Sequence, residues 1–456
     1  MKAIKTALAA LAAVAALAAR AEGELDSAVL HGETDKARAI DYKVGETMVF
    51  TLSLQGVESL PPDAYFISWT RTGDDGKVEN GKAPASPDKP LVVKTSIDRP
   101  GFVRLRAVLV NGEGKEFVKE FRGDSTTPEG KKALNAFERK EKKVFFDGGA
   151  GAETEKLQSV PEPDDFDAFW ARRKARLAKV PLEAEKKELS GYPTNVSVYA
   201  VSIKCAGPRP STGYLTVPKK PGKFPVSILF HGYGHRYPNR GYVIKPNVNC
   251  SQSILFVFSP HGYELEREPE YYDEFFRSIC SGGSTFGFDE KQNADPETSY
   301  FSGYTYRVMR ALEWLKTLPE WDGKNLEASG GSMGGLQTMW AAGLDPDVTL
   351  AQPGIPWCCD MGGRDTMKRL VQPWYVHETP ALRYYDPVNL AKRVSKNCRV
   401  DITRAGLGDY CCPPSGVAIL FSNIPGPKKI TWVQGSTHGY VPVEPHQSFS
   451  VTANGW

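Results

Sequence analysis

Ser332 lies in Gly330-Gly331-Ser332-Met333-Gly334-Gly335. Its Gly-x-Ser-x-Gly spacing is that of a nucleophile elbow, a strained strand-to-helix turn that small neighbours permit. The pattern is weak alone, because a chain with 43 glycines generates it by chance. A serine hydroxyl attacks a carbonyl only when a base takes its proton and an acid orients that base. Both follow in the chain. Asp409 ends Arg404-Ala405-Gly406-Leu407-Gly408-Asp409, a turn after one predicted strand, and His438 lies in Gln434-Gly435-Ser436-Thr437-His438-Gly439, after the last. The three residues spell acyl transfer.

Asp386 is the rival acid. It stands in Tyr384-Tyr385-Asp386-Pro387, which reads as a turn opening a helix, so a capping role is expected there. An oxyanion hole needs backbone N–H groups aimed at the developing charge. Met333 supplies one, and Tyr233, in Phe230-His231-Gly232-Tyr233-Gly234, is expected to supply the other. His231, at a strand end, reads as a structural or pocket-wall residue rather than the base. His231, His261 and Trp357 are assigned to the substrate pocket, whereas no catalytic role is assigned to His31, His235, His377 or His446.

Such residues need a scaffold of alternating strands and helices. Strands are predicted around 196–204, 212–217, 225–230, 253–259, 349–352, 399–405 and 429–433. The apolar run 253–259 implies burial on both faces. Helices are expected from Phe166 to Leu177, entered through Asp164-Asp165, from Gly303 to Thr317, and after Ser332. The order argues for an α/β fold with a mostly parallel sheet.

Ahead of it, runs such as Thr47–Leu54, Ala64–Thr70, Leu91–Thr95 and Phe102–Val110 approach period two and are broken by turn residues. They predict a small all-β, immunoglobulin-like sandwich over 22–122. Tyr65 and Trp69 could bind carbohydrate, but core aromatics are the commoner case. Residues 123–160, with Lys140-Glu141-Lys142-Lys143 and Gly148-Gly149-Ala150-Gly151, read as a linker, and 161–456 as the catalytic domain.

Charge is nearly balanced, 57 basic against 54 acidic residues and +3 net, with no clustered basic face. That excludes a nucleic-acid footprint. Lys2 and Lys5, the alanine-rich run to Ala19, and Ala19-Arg20-Ala21 form a signal-peptide pattern over 1–21. A secreted or periplasmic protein with no membrane attachment is expected. The eight cysteines show no paired metal spacing, so neither metal nor cofactor is implied. Cys358-Cys359 and Cys411-Cys412 follow neighbouring strands, which predicts a disulfide between one member of each pair, with a vicinal disulfide or free buried thiols as the alternative.

From Phe166 onward the chain resembles the acetyl xylan esterase and cephalosporin-C deacetylase family, carbohydrate esterase family seven, of the α/β-hydrolase superfamily. The likeness rests on Asp165-Phe166-Asp167-Ala168-Phe169-Trp170, His231-Gly232-Tyr233-Gly234, Gly330 to Gly335, Tyr385-Asp386-Pro387-Val388-Asn389-Leu390-Ala391, Gly406-Leu407-Gly408-Asp409 with Cys412-Pro413-Pro414-Ser415, and Gly435 to His438. The resemblance implies Ser332 as nucleophile, His438 as base, Asp409 as orienting acid, and Tyr233 with Met333 as oxyanion donors. Two stretches depart from the family: Met333 stands where glutamine is usual, and Pro260-His261-Gly262 replaces an Arg-Gly-Gln loop.

The implied activity is that of a secreted serine esterase acting on acetylated xylan or other acetylated oligosaccharides through an acetyl-enzyme. A homo-oligomer is left open. The rivals are a feruloyl-type esterase or serine peptidase on the same scaffold, and a catalytically inactive polysaccharide-binding protein.

Overall fold

A computed structural model describes residues 25–234, 252–372, 374–442 and 447–456. The expected signal segment 1–21 lies outside them, as do His235, Cys250 and His446. The chain forms two compact units. The first is Met1–Lys156 with Gly406–Tyr410 and Trp432–Phe449; the second is the remainder.

In the first unit β1 (Val29–Thr34), β2 (Met48–Gln55), β3 (Tyr65–Gly73), β4 (Glu79–Pro84), β5 (Leu91–Thr95) and β6 (Gly101–Asn111) precede α1 (Pro128–Lys140) and β7 (Phe145–Ala152). Two sheets result, β1-β2-β5 and β4-β3-β6-β7. Alternation in β2 turns Met48, Phe50, Leu52 and Leu54 inward. They share one core with Ile67, Leu105, Phe146 and Ala150 of the other sheet. Burying each large apolar side chain contributes about 1.5–3 kcal/mol before conformational entropy is set against it. Tyr65 and Trp69 are partly buried against this core.

Arg71 is wholly buried in this unit. It donates twice to Asp75 at 2.6 and 2.7 Å, and also to Thr95 Oγ1 and the carbonyls of Lys77 and Ser96. A buried guanidinium is tolerable only when its donors are answered in this way.

The segment 123–160 corrects the linker expectation, since it contains α1 and the strand β7, at the edge of its sheet but with every residue after Phe145 buried. Glycines gave β7 no period-two signal. They are there because side chains would not fit: a methyl group on Gly151 would fall 2.6 Å from Thr154 Cγ2 and 2.9 Å from Phe102 Cε1.

The second unit opens with α2 (Phe166–Ala178), β8 (Ala184–Leu189), β9 (Val196–Ile203), β10 (Ser211–Pro218), β11 (Phe224–Phe230) and β12 (Ile254–Ser259). It continues through α3 (Pro269–Ser278), α4 (Tyr300–Leu315), β13 (Trp321–Gly331), α5 (Met333–Leu344) and β14 (Leu350–Gly354). Last come α6 (Pro387–Ala391), β15 (Arg399–Gly406), α7 (Pro414–Asn423), β16 (Lys428–Val433) and β17 (Ser448–Ala453). Gly406, Trp432, Val433, Ser448 and Phe449, at strand ends, are counted with the first unit.

The sheet order is β17-β16-β15-β14-β13-β11-β12-β10-β9-β8. Pairing is parallel from β15 to β12 through β14, β13 and β11, and antiparallel from β12 through β10 and β9 to β8. Every residue of β12 is buried, as its apolar run required. α2 buries Phe166, Phe169, Trp170, Arg173 and Leu177, one face of a helix. Asp165 occupies the N-cap position without capping; its carboxylate meets Arg172 and the Tyr384 hydroxyl instead.

α4 begins three residues before the expected Gly303, because Ser299 accepts the Ser302 N–H at 3.2 Å and caps the helix there. From α4, the buried Arg307 donates through Nε to the Pro260 carbonyl at 2.9 Å. A guanidinium thus still packs the loop whose own arginine is replaced by Pro260-His261-Gly262.

The expected disulfide is absent. Cys358 and Cys359 are free thiols, although Cys358, Cys359 and Cys411 line one small cavity of about 30 Å³. Neighbouring strand ends bring the pairs together, as expected, without joining them. Burial pushes both the Cys358 and Cys359 thiols well above their ordinary range, which keeps them protonated and unreactive. Among the described residues no helix is long and apolar enough to cross a membrane.

Candidate active site

β13 ends at Gly331 and α5 starts at Met333, so Ser332 alone makes the turn. Its φ of 59° and ψ of −120° place it in a region that residues with a side chain seldom occupy. The flanking glycines make the turn possible. A methyl group on Gly330 would fall 2.6 Å from the Phe230 carbonyl oxygen, and one on Gly334 only 2.5 Å from the same atom. Backbone bonds fix the serine from both sides, its N–H donating to Gly354 O at 2.9 Å while its carbonyl accepts from Trp357 at 3.0 Å.

Met333 is the first residue of α5, where backbone N–H groups have no partner inside the helix. The loop after β11 approaches from the other side: a methyl group on Gly232 would lie 3.9 Å from Ser332 Cβ. Gln337, fully buried one turn into α5, holds the two together. Its Nε2 donates to the His231 carbonyl at 3.0 Å and to the Met333 carbonyl at 2.9 Å. This residue was missed in the sequence, where a lone glutamine in an apolar helix was the available signal.

Tyr233 is fixed by its side chain. Its hydroxyl donates to Phe286 O at 2.8 Å and its ring stacks on Phe286 with centroids 4.3 Å apart. Trp357 and Trp374 meet it edge-on at 5.7 and 5.0 Å. The Trp357 indole N–H donates to the Trp374 carbonyl at 3.2 Å. Trp374 is half exposed and was not anticipated, because it lies in an irregular insertion. His231 contributes its carbonyl to the elbow as the acceptor of Gln337 Nε2. His261, assigned to the pocket, is 2% exposed. It is enclosed by Phe276 and Phe286 with Nδ1 2.8 Å from the Tyr300 hydroxyl, one aromatic layer behind Tyr233. Its position corrects the wall assignment to a supporting one.

Asp409 and His438 belong to the first unit, Ser332 to the second. His438 Nδ1 is 3.0 Å from Asp409 Oδ2. Asp409 is wholly buried, and the histidine side chain is about one-third exposed. The carboxylate thus holds the imidazole through Nδ1. Asp386 does something else: its carboxylate accepts the backbone N–H groups of Asp360, Met361 and Val388 and caps α6. Burial first, and the Asp360 charge second, push it up to about 7.

Residues 154–451 match the family model described as acetyl xylan esterase. The acetyl esterase Axe7A of Xylanibacter ruminicola is 33% identical over 289 residues, which are 59% of this chain and 61% of that one. The chain therefore spans less than two thirds of the length of that curated relative. Two solved structures are similar. An acetyl xylan esterase from a Paenibacillus species has 25% identity and a TM-score of 0.52, covering 62% of this chain and 92% of its own. Acetyl xylan esterase 1 from a Thermoanaerobacterium species has 22% identity and a TM-score of 0.54, covering 63% and 92%. The second unit accordingly has the α/β-hydrolase fold, and the chain belongs to the acetyl xylan esterase family.

Proposed function

We propose that this protein is a serine carboxylic ester hydrolase that removes acetyl groups from acetylated xylan or other acetylated oligosaccharides. The observation that carries the reading is the buried Asp409 3.0 Å from His438 Nδ1, in a family member whose Ser332 occupies a strained elbow. Ser332 Oγ attacks the acetyl carbonyl as His438 Nε2 takes its proton. The Met333 and Tyr233 N–H groups hold the oxyanion. Collapse expels the sugar oxygen, which receives the proton from His438 and leaves an acetyl-enzyme. Water, deprotonated by the same nitrogen, then releases acetate and restores Ser332.

The half-exposed indole of Trp374, backed by Tyr233 and by the buried Trp357, fits this substrate, because a sugar ring offers an apolar face to an indole while its hydroxyls stay in water. Discrimination against longer acyl groups would be steric and modest, about 1–3 kcal/mol per methylene. The signal-peptide pattern over 1–21 supports export to the periplasm or medium.

Ser332→Ala should reduce acetate release from acetylated xylan at least ~10⁴-fold. Activity surviving that change would remove the serine mechanism. A series from acetyl to longer and aromatic esters separates an acetyl esterase from a feruloyl-type enzyme by relative kcat/KM.

A further inference from the structure

The acid and base are held by neighbours from the far end of the sequence. β7 presents Gly148 and Gly149 to the Gly406–Tyr410 turn and to Gln434, within the first unit. The Gln434 side chain grips Gly149 from both sides, its Oε1 accepting the Gly149 N–H and its Nε2 donating to the Gly149 carbonyl, each at 2.8 Å across 285 residues of chain. Gln434 is wholly buried and lies four residues before His438.

The contact admits no side chains on its backbone. A methyl group on Gly149 would lie 2.9 Å from the Leu407 carbonyl, and one on Gly148 2.1 Å from Gln434 Oε1. A methyl group on Gly408, next to Asp409, would lie 2.0 Å from the Asp147 carbonyl. Glycines on both sides, facing Leu407 and Asp147, let the Gly406–Tyr410 turn lie directly on the strand. The two catalytic loops are also joined, Leu407 N–H donating to Val433 O and Gly408 N–H to Ser436 O, each at 3.0 Å.

Charge is arranged around the same spot. Arg104 of β6 makes a buried two-pronged pair with Asp147, Nε to Oδ1 at 2.7 Å and Nη2 to Oδ2 at 2.6 Å. Its guanidinium carbon lies 4.8 Å from the centre of the Tyr410 ring. Asp147 thus holds the buried guanidinium against Tyr410, the residue after Asp409.

We propose that β7, Gln434 and the Arg104–Asp147 pair are the positioning platform of Asp409 and His438, so that the N-terminal sandwich is a working part of the esterase rather than an appendage. The inference rests on reading Asp409 and His438 as acid and base. Misplacement of a catalytic group by about 1 Å can cost ~10²-fold in rate.

The test uses the full chain and counts active molecules by the serine each acylates. Gln434→Met, which adds no bulk but cannot grip Gly149, should lower kcat ~10–100-fold per acylated serine with KM changed less than about two-fold. The low-field proton resonance of the His438 Nδ1–H should move or vanish with it. Gly149→Ala should give the same pair of changes; should it fail to fold, Gln434→Met carries the test. Val198→Ala, in a separate core cluster of the second unit, should lower the melting temperature while leaving kcat and the resonance intact. Wild-type kcat and resonance in Gln434→Met would overturn the proposal, as would equal changes in Val198→Ala. Acetate release surviving Ser332→Ala would instead remove the underlying mechanism.

Discussion

In the proposed mechanism, the nucleophile and the acid–base pair are built in opposite ways. Ser332 sits in a turn made possible by its own flanking glycines, since a methyl group on Gly330 would fall 2.6 Å from the Phe230 carbonyl oxygen. Asp409 and His438 owe theirs to a strand some 285 residues earlier, through Gln434 and Gly149. A strained turn can be encoded locally, because forbidden φ/ψ and forbidden side chains act within one loop. The placement of two loops against each other cannot. It needs a third surface, and here glycines in β7 provide it.

The comparison can be broken most forcefully at Asp409. Asp409→Asn keeps the shape of the acid but cannot hold imidazolium charge or dictate the tautomer, so kcat should fall by ~10⁴-fold. Steady-state hydrolysis of an activated acetyl ester measures this. A loss under ten-fold would show that the pair is architectural and that the base is elsewhere.

A smaller effect is expected at the elbow's own distant tie. Gln337→Met preserves length and burial but drops the bonds to the His231 and Met333 carbonyls. The two oxyanion donors then lose their common brace, and kcat should fall by ~10-fold with KM little altered, less than the cost of deleting a donor outright. If Gln337→Met behaved as wild type while Gln434→Met did not, the elbow would be self-sufficient and the contrast sharper.

The same contrast explains what the sequence disclosed. The turn at Ser332, the pairing of Asp409 with His438, and the alternating strands of the first unit were readable from local pattern and order. β7 was not, since Phe145-Phe146-Asp147-Gly148-Gly149-Ala150-Gly151-Ala152 offers no alternation, and its glycines register only against partners such as Gln434. β8 escaped for the opposite reason: Ala184-Glu185-Lys186-Lys187-Glu188-Leu189 is nearly all exposed, as a charged edge strand should be. Trp374 needed the folded insertion to bring it to Tyr233. Cys358 and Cys359 were correctly placed near Cys411, yet proximity alone does not make a disulfide.

The smallest effect separates the two buried aspartates that compete for the acid's role. Asp386 faces three backbone N–H groups, not a histidine, and is pushed up to about 7, chiefly by burial. Its ordinary value is 3.8. A carboxyl raised on folding binds more protons in the native state, so its contribution is complete below about pH 4 and is lost as pH rises through about 7. Asp386→Asn does not titrate. Its melting temperature relative to wild type should therefore climb between pH 4 and 7 and then level off. The expected change is a few °C, since ~1 kcal/mol moves the melting point by about 2–4 °C in a domain of this class. The kcat of Asp386→Asn should stay within about three-fold of wild type, against ~10⁴-fold for Asp409→Asn. A melting difference that is flat with pH, or a collapse of kcat in Asp386→Asn, would return Asp386 to contention as the acid.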